Sequence, residues 1–230
     1  MAGLRLAREN DPNVTATDLA MMQRAIALAA TSGLPRGVMA RTLGGPLRVP
    51  VGEAVRILKE VVDALSYAHR SGVVHRDIKP ANVILEGNLE KALLMDFGIA
   101  KALTDEVQEA GAEPVVGTPQ YMSPEQAAGW DEIDHRSDIY SLGVMAYRML
   151  TGKLPFDGES PREILEKHIK EKPVHIRRVN TSVPKNFADS IMRCLEKDPW
   201  DRFSTTMELW SELQNVSFFP TNTEDRKSVV

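Results

Sequence analysis

Along residues 53–72, EAVRILKEVVDALSYAHRSG, apolar side chains recur at Val55, Leu58, Val62 and Leu65, with Ile57 and Val61 beside them. Steps of three and four put these on one helix face, wide enough to be buried in a core. Gly72 ends the element as a C-terminal cap does. The period then shortens, and VILEGN and KALLMD read as two strands around a Gly87–Asn88 turn. Past residue 123 the pattern is helical again. SDIYSLGVMAYRMLTG is apolar almost all round and predicts a helix buried in the middle of a domain. PREILEKHIKEK, NFADSIMRCLEKD and STTMELWSELQNV are amphipathic, and Thr205 with Glu208 has the spacing of a capping box. His168 and His175 read as solvated or helix-face residues without a site role.

The flanks are weaker. DLAMMQRAIALAA (18–30) is helix-like, RENDPN breaks it, and the Gly- and Pro-rich stretch 33–50 leaves room only for a short helix around Val38–Leu43. Residues 217–230 read as a polar tail. The expected division is 1–32 unassigned, 33–216 one mainly helical domain with a small β element, and 217–230 a flexible end.

Composition narrows the function classes. The chain has 230 residues, 43% of them apolar, and a formal net charge of −4, so it offers no broad basic face for nucleic acid. The single cysteine, Cys194, excludes an intrachain disulfide and fits a reducing compartment; its expected role is that of a small buried hydrophobe. No apolar run approaches the ~20 residues of a membrane span, and AIALAA is too short for a signal-peptide core. A soluble, cytoplasmic protein is expected.

One stretch stands apart. VVHRDIKPANVIL (73–85) gathers His75, Arg76, Asp77, Lys79 and Asn82 in a turn between two apolar patches. Polar groups packed so closely need partners, either within the protein or in a ligand. With DFG at 96–98 and SPE at 123–125, this stretch resembles the catalytic core of eukaryotic-type serine/threonine protein kinases, and GVVHRDIKPANV and VVGTPQYMSPEQ are similar to its bacterial, Pkn-like members. Each piece alone is weak. The set Asp77, Lys79, Asn82, Asp96, Glu125, Asp138 and Arg202, in family order, is strong.

The resemblance implies the following roles. Asp77 accepts a hydrogen bond from the substrate hydroxyl and takes its proton late, and Lys79 steadies the charge on the transferred phosphate. Asn82 and Asp96 hold Mg2+, with Mn2+ as an alternative. Ile84 belongs to the floor beneath the adenine of ATP. Thr118 touches Asp77 and Lys79 and helps receive the protein substrate. His75 and Phe97 pack together, Asp138 accepts backbone N–H bonds from the catalytic loop, and Glu125 pairs with Arg202 in the interior. Arg76 grips a phosphate or a carboxylate on the activation segment, for which Thr104 and a glutamate such as Glu109 or Glu113 both stand as candidates.

Three departures accompany the likeness. The family's smaller β lobe clamps ATP with a glycine-rich loop and a strand lysine. No G-x-G-x-x-G precedes residue 75, and the first lysine is Lys59, inside the long helix. The expectation is therefore a C-terminal lobe without its ATP-clamping partner, which is either lost from the gene as read or supplied by a separate polypeptide. Charge-assisted phosphate contacts are worth ~1.5–3 kcal/mol each, so losing three weakens ATP binding by several powers of ten. Ala81 stands where a glutamate commonly reads basic substrates, and Ala110 and Ala112 stand where similar bacterial kinases carry threonines. The competing expectations are a protein kinase, a kinase-like docking module acting through helix 161–171 and the activation segment, and a decayed remnant.

Overall fold

A computed structural model describes residues 49–86, 91–95 and 118–216. The expectations for residues 1–48, the Gly87–Asn88 turn, Asp96, Phe97, the activation segment through residue 117 and the tail fall outside these. Among the described residues the fold is mostly helical, with one two-stranded sheet. Helix α1 (Val51–Arg70) carries the expected stripe: Val55, Ile57, Leu58, Val61, Val62 and Leu65 are all buried. It ends at Ser71, and the next residue, Gly72, has φ 71°, a left-handed conformation that costs a residue with a Cβ far more.

Strands β1 (Val83–Glu86) and β2 (Lys91–Leu94) run antiparallel in the register Val83↔Leu94 through Glu86↔Lys91. The sheet is tied to α1 where the Glu60 carboxylate accepts from the Ala92 amide. The site loop therefore emerges between a long buried helix and a short hairpin fixed to it.

Below this lies a helical frame. After the short α2 (Pro124–Ala127), helix α3 (Arg136–Thr151) runs through the centre, buried on nearly every side, as its uninterrupted apolar pattern requires. Helix α4 (Pro161–Lys170) packs on α2, α5 (Ile176–Val179) and α6 (Lys185–Cys194) pack on α3, and α7 (Thr206–Gln214) packs on α1 and α6. Gly143 lets α3 and α6 meet, since a Cβ there would lie 2.7 Å from the Cys194 Cβ. Cys194 is buried, and burial pushes its thiol up to about 12, so it packs as a hydrophobe and is not a thiolate near neutrality.

The helix ends differ from the pattern in an informative way. The amphipathic run 186–198 predicts a longer helix than α6, which stops at Cys194. The Arg202 guanidinium takes the next carbonyls, Nε donating to Glu196 O at 2.8 Å and Nη2 to Lys197 O at 3.0 Å. Helix α4 stops at Lys170, and the Lys197 ammonium donates to His168 O at 2.7 Å, capping its last turn. At the head of α7 only half of the expected capping box forms. Thr205 accepts from the Glu208 amide, while the Glu208 carboxylate accepts from the amide and hydroxyl of Ser204. A full box is found instead at α2, between Ser123 and Gln126.

Candidate active site

The loop 75–82 is held by one buried carboxylate. Asp138, in the first turn of α3 and fully buried, accepts from the His75 amide at 2.8 Å, the Arg76 amide at 2.7 Å and the His69 imidazole Nε2 at 2.8 Å. A helix N-terminus favours such an anion, and three donors compensate its burial. Arg76 sits at φ 64°, the left-handed region that a residue with a Cβ enters at a cost of about 1–3 kcal/mol. Its carbonyl accepts from Gln126 Nε2 at 2.8 Å, so this peptide is clamped on both sides, by α3 and by the boxed turn α2. The Arg76 Nε is buried with no hydrogen-bond partner among the described residues.

His75 is fully buried and spans from the loop to the hairpin. Its Nε2 donates to Met95 O at 2.7 Å, which leaves Nδ1 bare to accept from the Asp77 amide at 3.3 Å. Ile78, also buried, anchors the loop, while Asp77 and Lys79 on either side stay partly exposed. A 3-10 turn, Pro80–Asn82, then leads into β1. Asn82 Nδ2 donates to Asp77 O at 2.7 Å and to Asp77 Oδ2 at 3.0 Å. The Lys79 ammonium lies 2.6 Å from the same Oδ2. Asp77, Lys79 and Asn82 are thus brought into one hydrogen-bonded group at the mouth of the loop, with Ile84 buried in the adjoining strand. Asn82 uses its amide hydrogens on Asp77, so its Oδ1 is the hard oxygen left to offer a magnesium ion. Among the described residues no three or more His, Cys, Asp or Glu side chains cluster to hold a metal.

Thr118 heads the 3-10 turn Pro119–Tyr121, its carbonyl accepting from the Tyr121 amide at 3.0 Å. This turn is pinned to the frame. Ser141 Oγ donates to Tyr121 O at 2.7 Å, and Arg148 donates to the Tyr121 hydroxyl at 2.6 Å. Burial raises the Tyr121 phenol above its ordinary value, against the opposing pull of Arg148.

Glu125 and Arg202 form a bidentate pair, Nη1 to Oε1 at 2.8 Å and Nη2 to Oε2 at 2.9 Å, with residues 3% and 1% exposed. Arg202 also donates to three backbone carbonyls, of Glu196, Lys197 and Arg136, so its five N–H groups are all engaged. Burial pushes the Glu125 carboxyl up, but Arg202 and the Ser137 hydroxyl outweigh it and hold it below its ordinary value.

The structure separates the two histidines read as solvated or helix-face residues. His175 is partly exposed and meets Asp189, but His168 is fully buried. It lies on the inner face of α4, hydrogen-bonded to Tyr140 and to Gln120. The sequence reading missed Gln126, His69 and Ser137. Gln126 carries a local signal, the Ser123–Gln126 box spacing before a short helix. His69 and Ser137 carry none, because their partners Asp138 and Glu125 come from other elements.

Comparison with known proteins agrees with this geometry. The family model of the protein kinase domain matches residues 31–219. The chain is similar to a probable serine/threonine-protein kinase of Clostridium perfringens, 40% identical over 182 residues, covering 78% of this chain and 26% of that protein. It is similar to the serine/threonine-protein kinase PknB of Mycobacterium leprae, 37% identical over 172 residues, covering 75% and 27%. With PknB of Mycolicibacterium smegmatis it shares 40% identity over 166 residues, covering 71% and 26%. The chain spans about a quarter of the length of these relatives. It belongs to the protein kinase family, among the bacterial, PknB-like serine/threonine kinases.

Proposed function

We propose that this chain carries the acceptor half of a serine/threonine kinase site and transfers the γ-phosphate of ATP to serine or threonine hydroxyls of a protein substrate. The observation that supports this most is the group Asp77–Lys79–Asn82, held on a strained loop by Asp138. Phosphoryl transfer asks for positioning and charge neutralisation more than for covalent chemistry. Asp77 orients the attacking hydroxyl and receives its proton. Lys79, already on the same carboxylate, carries the cation that faces the transferred phosphate. Asn82 Oδ1 and the Asp96 carboxylate are the oxygens that would hold magnesium, which supplies charge neutralisation at the phosphates. Ile84 packs beneath the adenine, and Thr118 opens the segment that receives the substrate chain.

The phosphate clamp of the smaller lobe has no lysine candidate before Lys59 in this sequence. We therefore expect these residues by themselves to bind Mg–ATP weakly, and a phosphate clamp from outside them to restore tight binding. The test is phosphate incorporation into a serine/threonine-containing protein, with wild type and Asp77→Asn compared at saturating Mg–ATP. Loss of transfer by 10²–10⁴-fold in Asp77→Asn supports the reading. Equal incorporation by both proteins removes it. No incorporation by wild type, alongside retained binding of a protein partner, favours a docking module instead.

A further inference from the structure

The frame buries one imidazole whose ring bonds lie away from the loop 75–82, on Tyr140 and Gln120. His168 is fully buried on α4, packed edge-on against Phe156 with ring centroids 4.9 Å apart. A leucine would fill such a place without a polar cost, and an imidazole is tolerated only if both nitrogens are bonded. Both are. Nε2 reaches the Gln120 carbonyl at 3.2 Å, and Nδ1 reaches the Tyr140 hydroxyl at 2.9 Å. The carbonyl only accepts, so Nε2 carries the proton, Nδ1 is bare, and Tyr140 donates to it. The Lys197 ammonium only donates, and it does so to the Tyr140 oxygen at 3.4 Å and to His168 O at 2.7 Å. Hydrogen bonds therefore run one way, from Lys197 through Tyr140 and His168 to Gln120. Desolvation and the nearby Lys197 charge lower the imidazole to about 4, so it stays neutral in this orientation at ordinary pH.

The receiving end is the 119–121 turn, directly after Thr118. Ser141 and Arg148 hold Tyr121 from α3, and His168 holds Gln120 from α4. We infer that His168 is a positioning residue for the protein substrate, fixing the 118–121 segment in the shape that receives the acceptor chain. This rests on the kinase reading above for its consequence, though not for its geometry. It acts through Gln120 and touches no reacting atom.

The test compares His168→Leu, which removes the donor, with His168→Gln, whose amide keeps an N–H toward Gln120. His168→Leu is expected to raise the KM for an acceptor peptide about tenfold, the scale of one lost buried hydrogen bond, with the KM for ATP within about twofold of wild type. His168→Gln is expected to restore most of it. In parallel, amide exchange at Tyr121 and Met122, whose N–H groups close this turn onto Thr118 and Pro119, should accelerate in His168→Leu and recover in His168→Gln. Nitrogen NMR of wild type should show the Nε2–H tautomer. A proton on Nδ1, or unchanged exchange and acceptor KM in a folded His168→Leu protein, would overturn the proposal. Should that variant not fold, Tyr140→Phe removes the upstream donor and carries the same readouts. If wild type transfers no phosphate the kinase reading fails alone, and exchange and tautomer still decide the role of His168.

Discussion

Two ion pairs in this molecule use the same chemistry and do opposite work. Glu125–Arg202 is sealed, with side chains 4% and 0% exposed, two parallel N–H···O bonds and every arginine donor engaged. Asp77–Lys79 rests on one 2.6 Å contact, with side chains 31% and 20% exposed. The first is locked because opening it would leave a charge in a place water does not reach. The second exchanges partners cheaply, since water or a substrate group can take over either charge. The difference lies in what surrounds each pair. A frame needs interactions that cannot be traded, and a reaction site needs ones that can.

The largest test of that contrast is at the sealed pair. Arg202→Leu is expected to cost about 3–5 kcal/mol of unfolding free energy, because Glu125 and three carbonyls lose their donor. Urea titration measures it, and replacing Glu125 by Met as well should recover a large part. A single-variant cost below about 1 kcal/mol would mean that the two pairs do not differ in kind.

The next test is pH. His168 has its pKa lowered to about 4 in the folded chain from 6.5, so the unfolded chain binds the proton more readily. Its contribution to stability is complete above pH 6.5 and is lost as pH falls from 6.5 toward 4, by about 3 kcal/mol. Glu125, lowered as well, adds its own loss only below its ordinary value of 4.5. Thermal unfolding from pH 7.5 to 4.5 should show the decline in wild type and a flatter profile in His168→Gln. Parallel profiles would remove His168 as the cause.

The smallest effect belongs to the exchangeable pair. Lys79→Ala should change unfolding free energy by less than about 1 kcal/mol while abolishing phosphate incorporation. A loss of several kcal/mol would make Lys79 part of the frame and dissolve the comparison.

Among the described residues, period and composition decided which stretches became helix and strand. The α1 stripe and the all-round apolar α3 follow directly from spacing, because a helix face must find a core. The polar cluster at 75–82 announced a site by residue type alone. What those polar groups meet is another matter. Asp138 lies 63 and 62 residues from the His75 and Arg76 amides it holds, and Gln126 lies 50 from the Arg76 carbonyl. No local pattern encodes such distances.

His168 shows the limit most clearly. Within the amphipathic run PREILEKHIKEK it stands one turn after Ile164 and between Lys167 and Ile169, which leaves its environment open. Only the packing of α4 against the 119–121 turn and α3 buries the imidazole and chooses its tautomer. The chain by itself determined the elements, the family motifs and the charges available for chemistry, since these depend on nearest neighbours along the backbone. The tertiary structure decided which charges are sealed, which stay exchangeable and which proton sits on which nitrogen. Those outcomes depend on the dielectric and the partners that distant segments bring.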